Sequence, residues 1–80
     1  MDEWLTRARD ALAASSGVPA SELEVDAATE RILLDLARVA AHDSGLRTNA
    51  PILCYLVGLA QRGGRSVDEL ASAVLDATAD

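Results

Sequence analysis

Residues 52–60, ILCYLVGLA, carry no charge and are apolar around the whole circumference of a helix, and this stretch decides the fold. A helix of that kind is normally surrounded by other elements, because any face left in water would expose apolar side chains. Pro51 suits the first turn, where its missing N–H would have no partner in any case. Asn49 is placed to cap the helix with its side chain. We therefore predict a central, buried helix, the third along the chain, that starts near Asn49.

A first helix is predicted from about Asp2 to Ser15, and Gly17 is placed to end it. Its apolar residues recur at helical spacing and are Trp4, Leu5, Ala8, Ala11 and Leu12. This pattern indicates an amphipathic helix. Trp4 is expected to be its largest anchor in the core.

A second helix is predicted to begin after an Asp26 N-cap and to run to about Asp43, with Gly45 as the left-handed residue that follows its end. One broad face of this helix is apolar and consists of Ile32, Leu33, Leu36, Val39 and Ala40. The other side carries a narrow polar stripe that consists of Arg31, Asp35, Arg38 and His42. The apolar face is expected to pack into the core.

The fourth helix is predicted to open at Ser66, which forms a capping box with Glu69. Its buried stripe should consist of Val67, Leu70, Ala71 and Val74. The chain should end in a frayed tail, residues 78–80. The predicted fold is therefore all-α, a compact bundle of four helices with the third helix central and buried. A chain of 80 residues is expected to form one helical domain, residues 1–80.

The negative net charge of the chain excludes some classes of binding partner. Its formal net charge is −6 and every basic residue is an arginine, with no basic stripe, so we expect neither nucleic acid nor an anionic membrane surface as a partner. No apolar run reaches the roughly 18 residues of a membrane span, and no signal-peptide pattern opens the chain. The single cysteine cannot form an internal disulfide. These features predict a cytoplasmic protein.

The segment AHDSGLRTNAP, residues 41–51, is the place where polar groups could converge on a ligand. The tentative ligand-binding residues are Arg38, His42, Arg47 and Asn49. With Arg31 and the N-terminal amides of the third helix, they could hold an anion. The alternative is structural, since a histidine in the last turn of a helix interacts favourably with the helix dipole, and Asp35 and Arg38 lie one turn apart as an ordinary surface pair.

No catalytic residue, metal ligand or cofactor is predicted. Cys54 lies in the most hydrophobic helix, where burial makes a thiol inert, and one Cys with one His falls short of the usual zinc ligand count. The Asp43-Ser44 pair invites comparison with the prosthetic-group serine of acyl carrier proteins. However, Gly45 intervenes before Leu46, and Ser44 closes a helix where a carrier serine would open one.

The stretch LLDLARVAAHDSGLRTNAPILCYLVGLAQRGG, residues 33–64, resembles a small uncharacterised helical domain of actinobacteria. That domain occurs alone or at the C-terminus of MobA-type molybdopterin guanylyltransferases. The features that carry the resemblance are Leu33 to Arg38, Ala41-His42, Arg47, Ala50-Pro51 and Leu56-Val57-Gly58, with Trp4 near the start.

The resemblance implies a non-enzymatic accessory or protein-interaction module associated with molybdopterin-guanine dinucleotide, and hence molybdenum cofactor, biosynthesis. Its expected partners are a second copy of itself, as a homodimer, or a MobA-type nucleotidyltransferase. The guanylyltransferase activity is not implied, because the sequence has no glycine-rich nucleotide loop in an α/β context. The alternative function is a small anion- or phosphate-binding domain with a pocket at the junction of the second and third helices.

Overall fold

The computed structural model describes residues 1–79, which form four α-helices and two short 3₁₀ helices without any strand. The α-helices are α1 (Glu3–Ser16), α2 (Ala27–Asp43), α3 (Asn49–Ala60) and α4 (Val67–Thr78), and the 3₁₀ helices span Ala20–Leu23 and Gln61–Gly63. The prediction of an all-α fold with four helices is confirmed. Of the predicted tail, Thr78 is still helical, Ala79 follows the helix in extended conformation, and Asp80 lies outside the described residues.

The backbone contacts divide the chain into two compact units, residues 1–30 and the residues from Arg31 onward. The first unit contains α1, the first 3₁₀ helix and the opening turn of α2. Within it, Arg9 joins α1 to the following segment, since its Nη1 lies 2.9 Å from Glu24 Oε1 and its Nη2 lies 2.9 Å from Asp10 Oδ1. This unit is therefore organised in part by an arginine that two carboxylates share.

The apolar face of α1 lies in solvent in this structure. Trp4 is 66% exposed, Leu12 is 61% exposed, and no residue of α1 is buried. The prediction that Trp4 anchors the helix in the core is therefore wrong for this structure. A sequence pattern shows which side of a helix is apolar, but it does not show whether another element covers that side.

Side chains cap α1, α2 and α4, and the caps at Asp26 and Ser66 were predicted, whereas the cap at Asp2 was not. Asp2 Oδ1 accepts a hydrogen bond from the Leu5 amide at 2.8 Å, and Asp26 Oδ1 accepts one from the Thr29 amide at 2.8 Å. At α4, Ser66 Oγ accepts from the Glu69 amide at 3.1 Å while Glu69 Oε1 accepts from the Ser66 amide at 3.3 Å, which completes the capping box. These bonds satisfy amides that have no partner inside their own helices.

The cap predicted at Asn49 is wrong. Thr48 occupies the N-cap position in helical conformation, and no side chain caps the helix there. The amides of Asn49 and Ala50 instead donate to the carbonyls of Leu46 and Arg47 at 3.0 and 3.2 Å. A turn that is already helical thus satisfies the first amides of α3, and a side-chain cap is not needed.

The core of the second unit is small and is shared by α2, α3 and α4. Its buried members are Leu36, Val57, Val67 and Ala71, and the apolar residues that pack partly buried against them are Ile32, Leu33, Leu53, Leu70 and Val74. The stripes predicted for α2 and α4 supply most of this set. The structure does not show the predicted enclosure of α3, because Ile52, Tyr55 and Leu56 are 62%, 68% and 54% exposed.

The Asp26 cap predicts a dependence of stability on pH. The hydrogen bond from the Thr29 amide holds the pKa of the Asp26 carboxyl below its ordinary value of 3.8. Because the folded-state pKa is lowered, the stabilisation is complete above the unfolded-state value and is lost as the pH falls through the folded-state value. In urea unfolding followed from pH 7 to pH 2, wild type should lose stability relative to Asp26→Asn, which retains a cap that does not titrate. Parallel curves across this range would contradict the assignment.

Candidate functional site

An open groove of about 350 Å³ lies in the second unit, between α2, α3 and α4. Its walls are mainly aliphatic and include Val39, Ala40, Ile52, Leu56, Val74 and Leu75, with Leu36 of the core among the lining residues. The volume lies at the lower end of the range of ligand pockets, about 300–1,000 Å³. The groove therefore has room for one or two large side chains or a small apolar ligand.

Polar groups line the groove at few positions. Asp43, Ser44 and Asn49 come from the α2–α3 junction, and Thr78 comes from α4. The hydroxyl of Ser44 is engaged in its own turn, where it accepts from the Leu46 amide and donates to the Leu46 carbonyl, both at 3.2 Å. The Thr78 hydroxyl donates to the Val74 carbonyl at 2.9 Å. Among these polar residues, Asp43 is the one with a charged side chain, and its carboxylate makes one part of the apolar groove negative.

The structure places one of the four tentative ligand-binding residues, Asn49, on the groove. Arg38, His42 and Arg47 are exposed and do not line it. Arg38 Nη2 lies 4.0 Å from Asp35 Oδ1, and both side chains are largely exposed, so the surface-pair alternative is present in the structure. An exposed pair of this kind contributes little to stability.

The amides proposed as additional anion donors are already used. Asn49 and Ala50 donate to backbone carbonyls, and Pro51 has no N–H. The amides of Asn49 and Ala50 are therefore not free to bind an anion at the start of α3. The site formed by Arg38, His42, Arg47 and Asn49 stays a prediction.

Cys54 has the environment of a packing residue. Its Sγ donates a weak hydrogen bond to the Leu33 carbonyl at 3.9 Å, across the contact between α3 and α2. Partial burial raises the pKa of the Cys54 thiol. A raised pKa keeps the group protonated at neutral pH, whereas a nucleophilic cysteine needs the thiolate.

The outer face of α3, which consists of Ile52, Tyr55, Leu56 and Leu59, was not predicted from the sequence. All four side chains are exposed, whereas Val57 on the other side of the helix is buried. Their spacing of i, i+3, i+4 and i+7 is the signal that could have identified them as one face. We interpreted apolar residues on every side as burial, although an interaction surface has the same composition.

Within residues 1–79, no three His, Cys, Asp or Glu side chains lie close enough together to hold a metal ion. No described helix combines the length and the hydropathy needed to cross a bilayer. The fold and the groove together define a small all-helical module whose distinctive surfaces are apolar.

The chain belongs to a family described as a domain of unknown function, DUF6457, which matches it over residues 1–80. Neither the curated proteins nor the solved structures contain a match to this chain.

Proposed function

We propose that this chain is a non-enzymatic accessory module that acts by protein–protein contact in molybdopterin-guanine dinucleotide biosynthesis. Its partner in this proposal is a MobA-type nucleotidyltransferase, and the contact surface is the groove between α2, α3 and α4. The pathway and the partner rest on the sequence resemblance of residues 33–64. The groove supports contact as the mode of action, because it is open, mainly aliphatic and poor in free polar groups.

The free energy of binding would come from apolar side chains that the groove leaves in water. Ile52, Leu56 and Leu75 line it and are exposed. Covering the exposed half of one such side chain contributes about 1 kcal/mol, so the three together could contribute roughly 3 kcal/mol to binding. An amphipathic helix that inserts large apolar side chains is the kind of element that fits a groove between helices.

The proposal also accounts for the composition of α3. Residues 52–60 have the sequence of an enclosed helix, yet part of that helix is exposed in the structure. In the proposed complex, α3 is central and buried only when a partner covers the sides that α2 and α4 leave open. In this proposal, the burial of α3 that the sequence predicts is reached only in the complex with the partner.

Substitutions on the groove test this function. Leu75→Glu should lower the affinity for the transferase at least about tenfold, because a buried charge replaces an apolar contact. Leu34→Glu is the matched control, since Leu34 is an exposed leucine of α2 that does not line the groove. Isothermal titration calorimetry of the purified proteins, with far-UV circular dichroism to verify folding, measures both. Absence of binding by folded wild type, or equal affinities for the two variants, would refute the proposed groove contact.

A second candidate function is the binding of a small phosphate-bearing ligand near Asn49, the one tentative site residue that lines the groove. The Asp43 carboxylate on the same groove opposes an anion. Titration with GTP in the absence of the transferase distinguishes the two functions. A raised melting temperature together with a shift of the His42 ring resonances would favour the ligand-binding function over the protein-contact function.

A further inference from the structure

We propose that the outer face of α3 is a two-fold interface at which two copies of this chain pair with their α3 helices antiparallel. This inference rests on the proposed function only in its premise that the chain acts through protein contact. It concerns a different surface from the groove, although Ile52 and Leu56 border both. Tyr55 and Leu59 belong to the outer face alone, so the two surfaces can be tested separately.

The two sides of α3 differ in what covers them. Val57 is buried and Leu53 packs partly buried against the same core. The four residues of the outer face are exposed, and Tyr55, the one aromatic residue among them, is the most exposed of the four. An exposed tyrosine flanked by aliphatic side chains has the composition of the centre of an interface, where aromatic residues are enriched and charged residues are depleted.

Charge makes the outer face of α3 the surface at which a second copy is least opposed. Each chain has a formal net charge of −6, so two copies repel, and the repulsion is smallest where they meet at a patch without charges. Residues 48–61 contain no charged side chain, and α3 is the only one of the four helices without one. A contact through α4 would bring Asp68, Glu69 and Asp76 towards the same residues of the second copy. The outer face of α3 is thus suited to self-association in a way that α4 is not.

The size of the outer face is sufficient for a modest dimer. From the exposed fractions of its four side chains, covering them would remove roughly 500 Å² per copy, or about 1,000 Å² in total. Specific interfaces begin near about 1,000–1,200 Å² of total buried area. We therefore expect a reversible dimer whose population depends on concentration.

The antiparallel orientation follows from symmetry and from the helix dipoles. A two-fold axis that passes between positions 55 and 56 places Tyr55 against Tyr55 and Leu56 against Leu56 of the second copy. It also places Ile52 at the level of Leu59 of the second copy, so each aliphatic end of the face meets the other. Antiparallel helices oppose their dipoles, whereas a parallel pair would align them.

Sedimentation velocity of the full chain over a range of concentrations tests the dimer. Wild type should show a concentration-dependent dimer, and Tyr55→Glu should raise its dissociation constant at least about 30-fold, the effect of losing a central anchor. Leu34→Glu should leave the constant unchanged, because that leucine is exposed on a different helix. A wild type that stays monomeric at high concentration, or equal effects of the two variants, would overturn the proposal.

Single cysteines introduced in a Cys54→Ala background test the orientation. Leu56→Cys lies beside the proposed axis and should form a disulfide with its own counterpart. Ile52→Cys should not, because the two copies of position 52 would be about 10 Å apart along the helix axis. A mixture of Ile52→Cys and Leu59→Cys should form the mixed disulfide. Rapid self-crosslinking of Ile52→Cys would contradict the antiparallel arrangement.

The outcomes separate this inference from the proposed function. A monomeric wild type that still binds the transferase in a manner sensitive to Leu75→Glu would eliminate the dimer and leave the proposed function standing. A dimer that Tyr55→Glu disrupts, without any binding to the transferase, would support the interface and remove the proposed partner.

Discussion

Leu36→Ala is expected to leave little folded protein at 25 °C. Leu36 is 2% exposed and is the largest fully buried side chain among the described residues. Removing a leucine side chain from such a position costs about 3 kcal/mol, the sum of the lost burial and of the cavity left behind. A core in a chain of this length rarely supplies more than about 3–5 kcal/mol of net stability. The substitution should therefore lower the free energy of unfolding to nearly zero.

The measurement is urea unfolding followed by far-UV circular dichroism, with Leu34→Ala as the matched control. Leu34 lies two residues away on the same helix and is 70% exposed, so its truncation should change the free energy of unfolding by less than about 0.5 kcal/mol. If the two alanine variants unfold at the same urea concentration, Leu36 is not the centre of the core.

Val57→Asp is expected to abolish the cooperative unfolding transition at pH 7, whereas Leu56→Asp should keep it. Val57 is buried in the cluster shared by α2, α3 and α4, and Leu56 is exposed on the outer face of α3. An unpaired carboxylate forced into the core costs more than about 3 kcal/mol, while an exposed one remains hydrated. The comparison tests directly whether α3 has one packed side and one open side.

The pH dependence of the Val57→Asp variant provides a further check. Burial would raise the pKa of the introduced carboxyl, so the variant should regain stability relative to wild type as the pH falls and the group becomes neutral. Thermal unfolding at pH 7 and pH 4, at protein concentrations low enough to keep the chain monomeric, measures this. Equal losses for Val57→Asp and Leu56→Asp at pH 7 would mean that α3 is covered on both sides.

Local features of this fold could be predicted because they depend on neighbouring residues. Asp26 caps α2 through an amide three residues away, and Ser66 and Glu69 form a capping box at α4 over the same distance. Such hydrogen bonds link groups that are close in the chain whatever the rest of the molecule does. The exception is Asn49, where a preceding helical turn supplies the carbonyls that made a side-chain cap unnecessary.

The candidate site was predictable only in part. Asn49 lines the groove, whereas Arg38, His42 and Arg47 are exposed and do not line it, and the ligand site that these four residues would form stays a prediction. Most of the groove is formed by apolar residues such as Val39, Ile52 and Leu75, which carry no chemical signature in the sequence. A surface of this kind becomes recognisable only when the packing of the helices leaves it uncovered.

The sequence by itself determined that this chain is helical, where each helix begins and ends within a few residues, and which sides of the helices are apolar. These properties arise from hydrogen bonds and side-chain periodicity within a few turns of the chain. Only the tertiary structure decided which apolar sides are covered: it buried Leu36 and Val57 and left Trp4, Tyr55 and Leu56 in solvent. Burial depends on contacts between distant segments, and one apolar pattern serves equally for a core and for an interface.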